Sequence, residues 1–145
     1  MFSNKTILEI EMITIEDDGL HLIVGSEVND RKCRLLIDTG ASRTVFDRTR
    51  IFNFVEEAEL EHHDKLSTGL GTDSMPTSST TLNHFLIGKI KIKNFHAILL
   101  DLTHVNSSYE KMGFSPIDGV LGSDVMNQYN AVIDYKKKRL TLNEK

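Results

Sequence analysis

Turn residues cut the apolar segments of this chain into short pieces, and that punctuation restricts it to a fold built from sheets. Leu8, Ile10 and Met12 alternate with Glu9 and Glu11, the period of two that turns one face of a strand to a core. The apolar phase then slips by one residue to Ile13 and Ile15, the mark of a bulge or of a strand that changes sheets. Asp17-Asp18-Gly19 is a turn, with Gly19 free to take positive φ. Residues 20–28 read as a second strand, Asn29-Asp30 as the next turn, 34–37 as a third strand and 44–46 as a fourth. One or two helical turns are expected over 54–60. A polar loop or hairpin tip is expected over 67–80, which holds Gly69, Gly71 and Pro76.

Further on, Ile90 and Ile92 alternate with lysines, 95–102 is an apolar strand, and 103–116 reads as a long loop. Residues 117–121 form a short apolar strand closed by Gly122. Ser123 is the expected N-cap of a helix through Gln128, with Asp124 favourable in its first turn. Residues 131–135 and 139–142 make a terminal hairpin. The pattern predicts one all-β domain over 1–145, a compact β-barrel or sandwich with one short C-terminal helix.

Composition narrows the function classes. The 145 residues suffice for one core without disulfide or metal staples. With 17 Lys+Arg against 21 Asp+Glu, the net charge of −4 makes a poor phosphate binder, so no nucleic-acid partner is expected. The single cysteine, Cys33, excludes an intrachain disulfide and suits a reducing compartment. No apolar run approaches the roughly 18 residues of a membrane helix, so no membrane partner is expected. Residues 1–11 carry acids and alternate, unlike the continuous apolar core of a signal peptide, and a cytoplasmic location follows as an expectation.

The chemistry concentrates in Leu35-Leu36-Ile37-Asp38-Thr39-Gly40-Ala41-Ser42. An apolar strand drives a carboxylate into a tight turn, where Gly40 lets the backbone approach and Thr39 and Ser42 add hydroxyls. Taken alone, Asp-Thr-Gly reads first as a turn former of the Asx type and only second as a working acid. Other polar features carry less. His62-His63-Asp64 puts adjacent histidines on opposite faces of a strand, a poor metal geometry, and reads as a solvated turn. His21, His84, His96 and His104 show no ligand spacing. Cys33 reads as a small semi-buried residue, 136–139 as a solvated hairpin turn, and Phe52 and Phe54 as packing residues. No metal and no cofactor are expected.

The octet around Asp38 resembles the active-site motif of the aspartic proteases, and a second matching piece follows in Val120-Leu121-Gly122, directly before the helix. The string from Ile117 to Met126 is similar to the bacterial retropepsin-like branch, and Ala131-Val132-Ile133-Asp134-Tyr135 resembles its closing hairpin. Gly69-Leu70-Gly71-Thr72 stands where that family carries a glycine-containing flap, although Leu70 separates glycines that are often adjacent there. The resemblance spans roughly 5–142 and implies a retropepsin-like closed β-barrel. It implies an aspartic endopeptidase that acts on peptide or protein substrates.

Such chemistry needs two carboxylates sharing one proton, and the chain has one Asp-Thr-Gly. Asp118 lacks the hydroxyl residue before its glycine and reads as a local turn or helix-approach residue. The second acid is therefore expected from Asp38 of another copy, in a homodimer whose two-fold axis passes between the carboxylates. The resemblance makes Asp38 the acid/base and Thr39 a hydrogen-bonding residue across the axis. It sets the Gly40 N–H near the carboxylate, makes Ser42 a supporting hydroxyl, and makes Gly69, Leu70, Gly71 and Thr72 the flap tip. Ala41 in place of a serine goes, in that family, with a less acidic working pH. The alternative is a catalytically silent module of the same fold that binds peptides or mediates assembly.

Overall fold

The computed structural model describes residues 4–15, 19–66 and 76–144. Its strands are β1 (Asn4–Glu9), β2 (Glu11–Thr14), β3 (Leu20–Val28), β4 (Arg31–Ile37), β5 (Val45–Asp47), β6 (Leu60–Leu66), β7 (Pro76–Leu82), β8 (Phe85–Ile87), β9 (Ile90–Ile92), β10 (Phe95–Leu100), β11 (Gly119–Leu121), β12 (Val132–Asp134) and β13 (Arg139–Glu144). Two α-helices, α1 (Thr103–Lys111) and α2 (Ser123–Gln128), join them. Within the expected helical span 54–60 there is one 3-10 turn, Glu57–Glu59, and a second, Arg50–Asn53, stands before that span. Phe54 packs on the core, whereas Phe52 is exposed.

The strands form an antiparallel sheet, β1–β13–β12, and a larger one in the order β6–β7–β10–β5–β11–β4–β3–β8–β9 with β2 added on β3. The apolar slip near residue 12 accompanies a change of sheet: β1 pairs with β13, the chain breaks at Ile10, and β2 pairs with β3. Neither sheet closes on itself, which corrects the expectation of a closed β-barrel. At the seam between β1 and β9, side chains stand where a backbone ladder would be needed. Lys89 N donates to Thr6 Oγ1 at 3.0 Å, and Asn4 Nδ2 donates to Lys89 O at 3.4 Å. Gly88 turns there at φ +60°, and a Cβ on it would run into the Thr6 hydroxyl.

Strand alternation divides the apolar residues between two cores. Leu22 and Val24 of β3, Leu35 and Ile37 of β4, and Leu121 of β11 face the main core, where Phe46, Phe85 and Phe95 stack at 5.6 and 5.3 Å between ring centroids. Ile23, Leu36 and Val120 of the same strands face a second core, covered by Leu102, Val105, Tyr109 and Phe114. That cover is α1, where a loop was expected. Thr, His, Asn and Ser are indifferent helix formers, so composition hides the helix. Tertiary contacts hold it in place. Buried Asn106 donates Nδ2 to Ile117 O at 3.1 Å and accepts from Ile117 N at 2.8 Å. The polar stretch 76–80, also expected in a loop, belongs to β7, which is laddered on both sides by β6 and β10.

Cys33 is 2% exposed in the main core. Burial, with the Asp118 charge adding to it, pushes its thiol up from 9.0 to about 12. Because the thiolate is the reactive form, alkylation at pH 8 should run about a thousandfold slower on the folded chain than in denaturant. Labelling followed by mass spectrometry checks this, and equal rates would contradict the burial. The sign of the linkage follows: the neutral thiol favours the folded state. Its stabilisation is complete below pH 9.0 and declines as pH rises towards about 12.

Candidate active site

β4 is apolar at Leu35, Leu36 and Ile37 because it has a core on each face, and it ends in Asp38 at the surface. The chain returns as β5, yet β4 and β5 are not neighbours. β11 lies between them, parallel to β4 (Leu121 beside Ile37) and antiparallel to β5 (Val120 beside Val45). The loop 38–44 must therefore cross the C-terminal end of β11. Gly122 sits under that crossing: a Cβ there would stand 2.7 Å from the Arg43 carbonyl carbon and oxygen and 2.9 Å from Ala41 O. The glycine after two apolar residues is thus a clearance requirement imposed by the loop that carries Asp38.

Within the loop, Asp38 N donates to Leu121 O at 3.0 Å and Ala41 N to Asp38 O at 3.1 Å. Gly40 N donates to the Asp38 carboxylate, at Oδ1, at 2.9 Å. This leaves Asp38, Thr39 and Gly40 exposed on a backbone held tightly from below. Ser123 does part of the holding. Its amide donates to Ala41 O at 2.8 Å and its hydroxyl to Thr39 O at 2.7 Å. Gly122 occupies the cap position of α2, which corrects the expectation of Ser123 as N-cap. Ala41 is half-buried against the second core, and Ser42 is exposed.

Two residues whose role sequence reasoning missed complete the support. Thr44, 1% exposed, donates its hydroxyl to Asp124 Oδ1 at 2.7 Å and its amide to the same oxygen at 2.9 Å. The Thr44 hydroxyl also accepts from Gly122 N at 2.9 Å, and Val125 N donates to Asp124 Oδ1 at 2.8 Å. Thr44 and Asp124 thereby bolt the far end of the loop to the start of α2. Thr44→Val keeps the shape and removes the hydroxyl, leaving the buried Gly122 N–H without an acceptor. A loss of about 1–3 kcal/mol is expected in urea unfolding, and an unchanged midpoint would show the bolt to be idle.

Asp118 departs from the turn residue that was expected. It is 5% exposed, accepts from Arg50 Nε at 2.7 Å, and takes the Arg34 amide at 2.8 Å. In the β4–β11 register it lies beside Arg34, four strand residues or roughly 13 Å before Asp38. It offers no second acid to Asp38, and Asp124 is engaged with the loop amides. Gly69, Leu70, Gly71 and Thr72 lie outside the described residues. β6 and β7, which precede and follow that segment, pair antiparallel.

Grooves flank Asp38 and Thr39 on two sides. One is walled by Leu20, His21, Leu36 and Tyr135, the other by Ser42, Ser123, Met126 and Asn127, and Ile133 and Thr39 line both. A carboxylate between grooves whose walls mix polar and apolar side chains can meet an extended peptide with side chains placed to either side. Among the described residues, no cluster of three His, Cys, Asp or Glu is placed to hold a metal, and no helix is long and apolar enough to cross a membrane.

A family model for aspartyl proteases matches residues 24–125, a span that holds both the Asp38 loop and Gly122. Among solved structures, the chain is similar to a retropepsin-like aspartic protease from Rickettsia conorii. That match has 21% identity and a TM-score of 0.61, and it covers 99% of this chain and 92% of that one. The chain is also similar to the retroviral protease-like domain of Ddi1 from Leishmania major, with 14% identity, a TM-score of 0.58, and coverage of 90% and 89%. No curated protein sequence matches.

Proposed function

The chain belongs to the aspartyl protease family and has the retropepsin-like fold, and from that premise we propose that it is an endopeptidase whose active site is completed by a second copy. One observation carries the reading: Asp38 stands exposed at the tip of a rigidly supported loop, while the buried acid just before the neighbouring strand β11, Asp118, is ion-paired and roughly 13 Å away. Half a dyad is present, presented outward.

In the dimer, the two Asp38 carboxylates share one proton, because two like charges at contact distance resist joint ionisation. The ionised member takes a proton from water, and the water oxygen attacks the peptide carbonyl carbon. The protonated member gives its proton to the carbonyl oxygen. The tetrahedral species then breaks its C–N bond as the carboxyl that took the water proton passes it to the leaving nitrogen and the other carboxylate takes a proton from a hydroxyl of the same carbon, which restores the C=O bond and the singly protonated pair. The Gly40 N–H holds one carboxylate oxygen in place, Thr39 bonds across the axis, Ser42 lines the second groove, and Ala41 backs the loop from the second core. The family resemblance gives the flap role to Gly69, Leu70, Gly71 and Thr72, which lie outside the described residues. Exposed Val132 and Tyr135, beside the grooves, supply apolar surface for the second copy.

Light scattering across concentration and pH, with and without a pepstatin-like inhibitor, tests the assembly. A dimer strengthened by inhibitor is expected. A strict monomer at every concentration with inhibitor present would overturn the shared dyad. A peptide bound equally by wild type and Asp38→Asn, and never cleaved, would leave a binding module instead.

A further inference from the structure

We propose that His21 is a specificity-determining residue of the Asp38 groove, selecting a peptide residue with an aliphatic stem and a terminal carbonyl or carboxylate oxygen, glutamine or glutamate, next to the scissile bond. The inference rests on the endopeptidase reading and names the substrate class of that same site.

His21 lies on β3 and lines the groove that contains Asp38, among Leu20, Leu22, Leu36 and Tyr135. It is half-buried, and its Nδ1 is 2.8 Å from the Tyr109 hydroxyl. Tyr109 comes from α1 and is fully buried, its ring packed at 5.7 Å from His21 and 6.5 Å from Phe114. Burial holds the phenol protonated by pushing it up to about 12. The buried Tyr109 hydroxyl has no other acceptor among the described residues, so its proton goes to Nδ1 and the ring proton of the neutral imidazole sits on Nε2, which has no partner among those residues. The wall therefore combines aliphatic surface with one oriented N–H donor. Leucine would fill the apolar part and leave that donor without an acceptor, whereas glutamine or glutamate satisfies both. The anchoring phenol also restricts ring rotation, so the donor is organised before substrate arrives.

The test uses matched peptides that differ only at the residue beside the scissile bond, glutamine against norleucine, cleaved by wild type, His21→Leu and Tyr109→Phe. Wild type is expected to prefer glutamine by roughly tenfold in kcat/KM, and His21→Leu to bring the ratio to one or below. Tyr109→Phe, which keeps the packing, is expected to give an intermediate ratio. A purely structural role would lower both peptides together, so an unmoved ratio overturns the proposal. The same peptides with a reduced, uncleavable bond are titrated against the wild-type chain and His21→Leu by calorimetry. If no peptide is cleaved, the endopeptidase reading falls. The affinity ratio then still decides His21, with equal binding of both peptides counting against it.

Discussion

Asp38→Asn is expected to lower peptide cleavage by about a thousandfold or more while the protein keeps its fold and its melting temperature within a few degrees. The two halves of that expectation have separate causes. Asparagine is isosteric and retains an oxygen to accept the Gly40 N–H, so the turn that holds residue 38 survives. The residue is exposed, and no core packing depends on its charge. What disappears, in the proposed dimer on both sides of the dyad at once, is the ability to take a proton from water or to give one to the carbonyl. A diverse peptide pool incubated at several pH values, with mass-spectrometric detection and parallel thermal melts, checks both halves. Equal cleavage by the variant would remove Asp38 from the chemistry. An unfolded variant would mean that the charge supports the loop.

Gly122→Ala should be the more damaging change to the fold, costing at least about 1–3 kcal/mol, with activity falling alongside. The new methyl would stand 2.7 Å from the backbone of Arg43 and 2.9 Å from Ala41 O, and neither is the end of a flexible side chain. Relief requires lifting the crossing loop, which stretches the Ser123 contacts to Thr39 and Ala41 and displaces Asp38 with them. Gly25→Ala provides the contrast. Nothing lies within 4 Å of a Cβ at that position of β3, so stability should change by no more than about 0.5 kcal/mol. Urea unfolding of the two variants side by side is the measurement. Similar midpoints would mean that the crossing is looser than the geometry requires.

Much of the architecture was legible because it is written in local pattern. Alternation located β9, turn residues bounded β3, the turn pair Asn29-Asp30 takes the positive φ values its residue types tolerate, and the switch of phase near residue 12 accompanied a real change of sheet. The reading failed where neighbours outweighed composition. α1 has weak intrinsic preference and is held by Asn106, Tyr109 and the second core. β7 looks like a loop by its serines and threonines but is paired on both edges. Asp118 sits in a tight turn-like string, and its ion pair with Arg50 comes from a residue 68 positions away. The closed barrel failed because the strands divide into two open sheets, with the Thr6 hydroxyl standing in for a strand ladder between β1 and β9.

By itself, the sequence determined a sheet-built chain with one Asp-Thr-Gly carboxylate at the end of an apolar strand. Period-two burial, turn propensity and the number of Asp-Thr-Gly motifs are properties of short segments, readable without knowing what packs where. Only the tertiary structure decided that β11 separates β4 from β5, that Thr44 meets Asp124, and that His21 joins Asp38 in one groove under the hold of Tyr109. The Thr44–Asp124 and His21–Tyr109 pairs lie 80 and 88 residues apart. No local periodicity encodes such a meeting. It arises when the sheet buries both faces of β4 and forces the loop over Gly122.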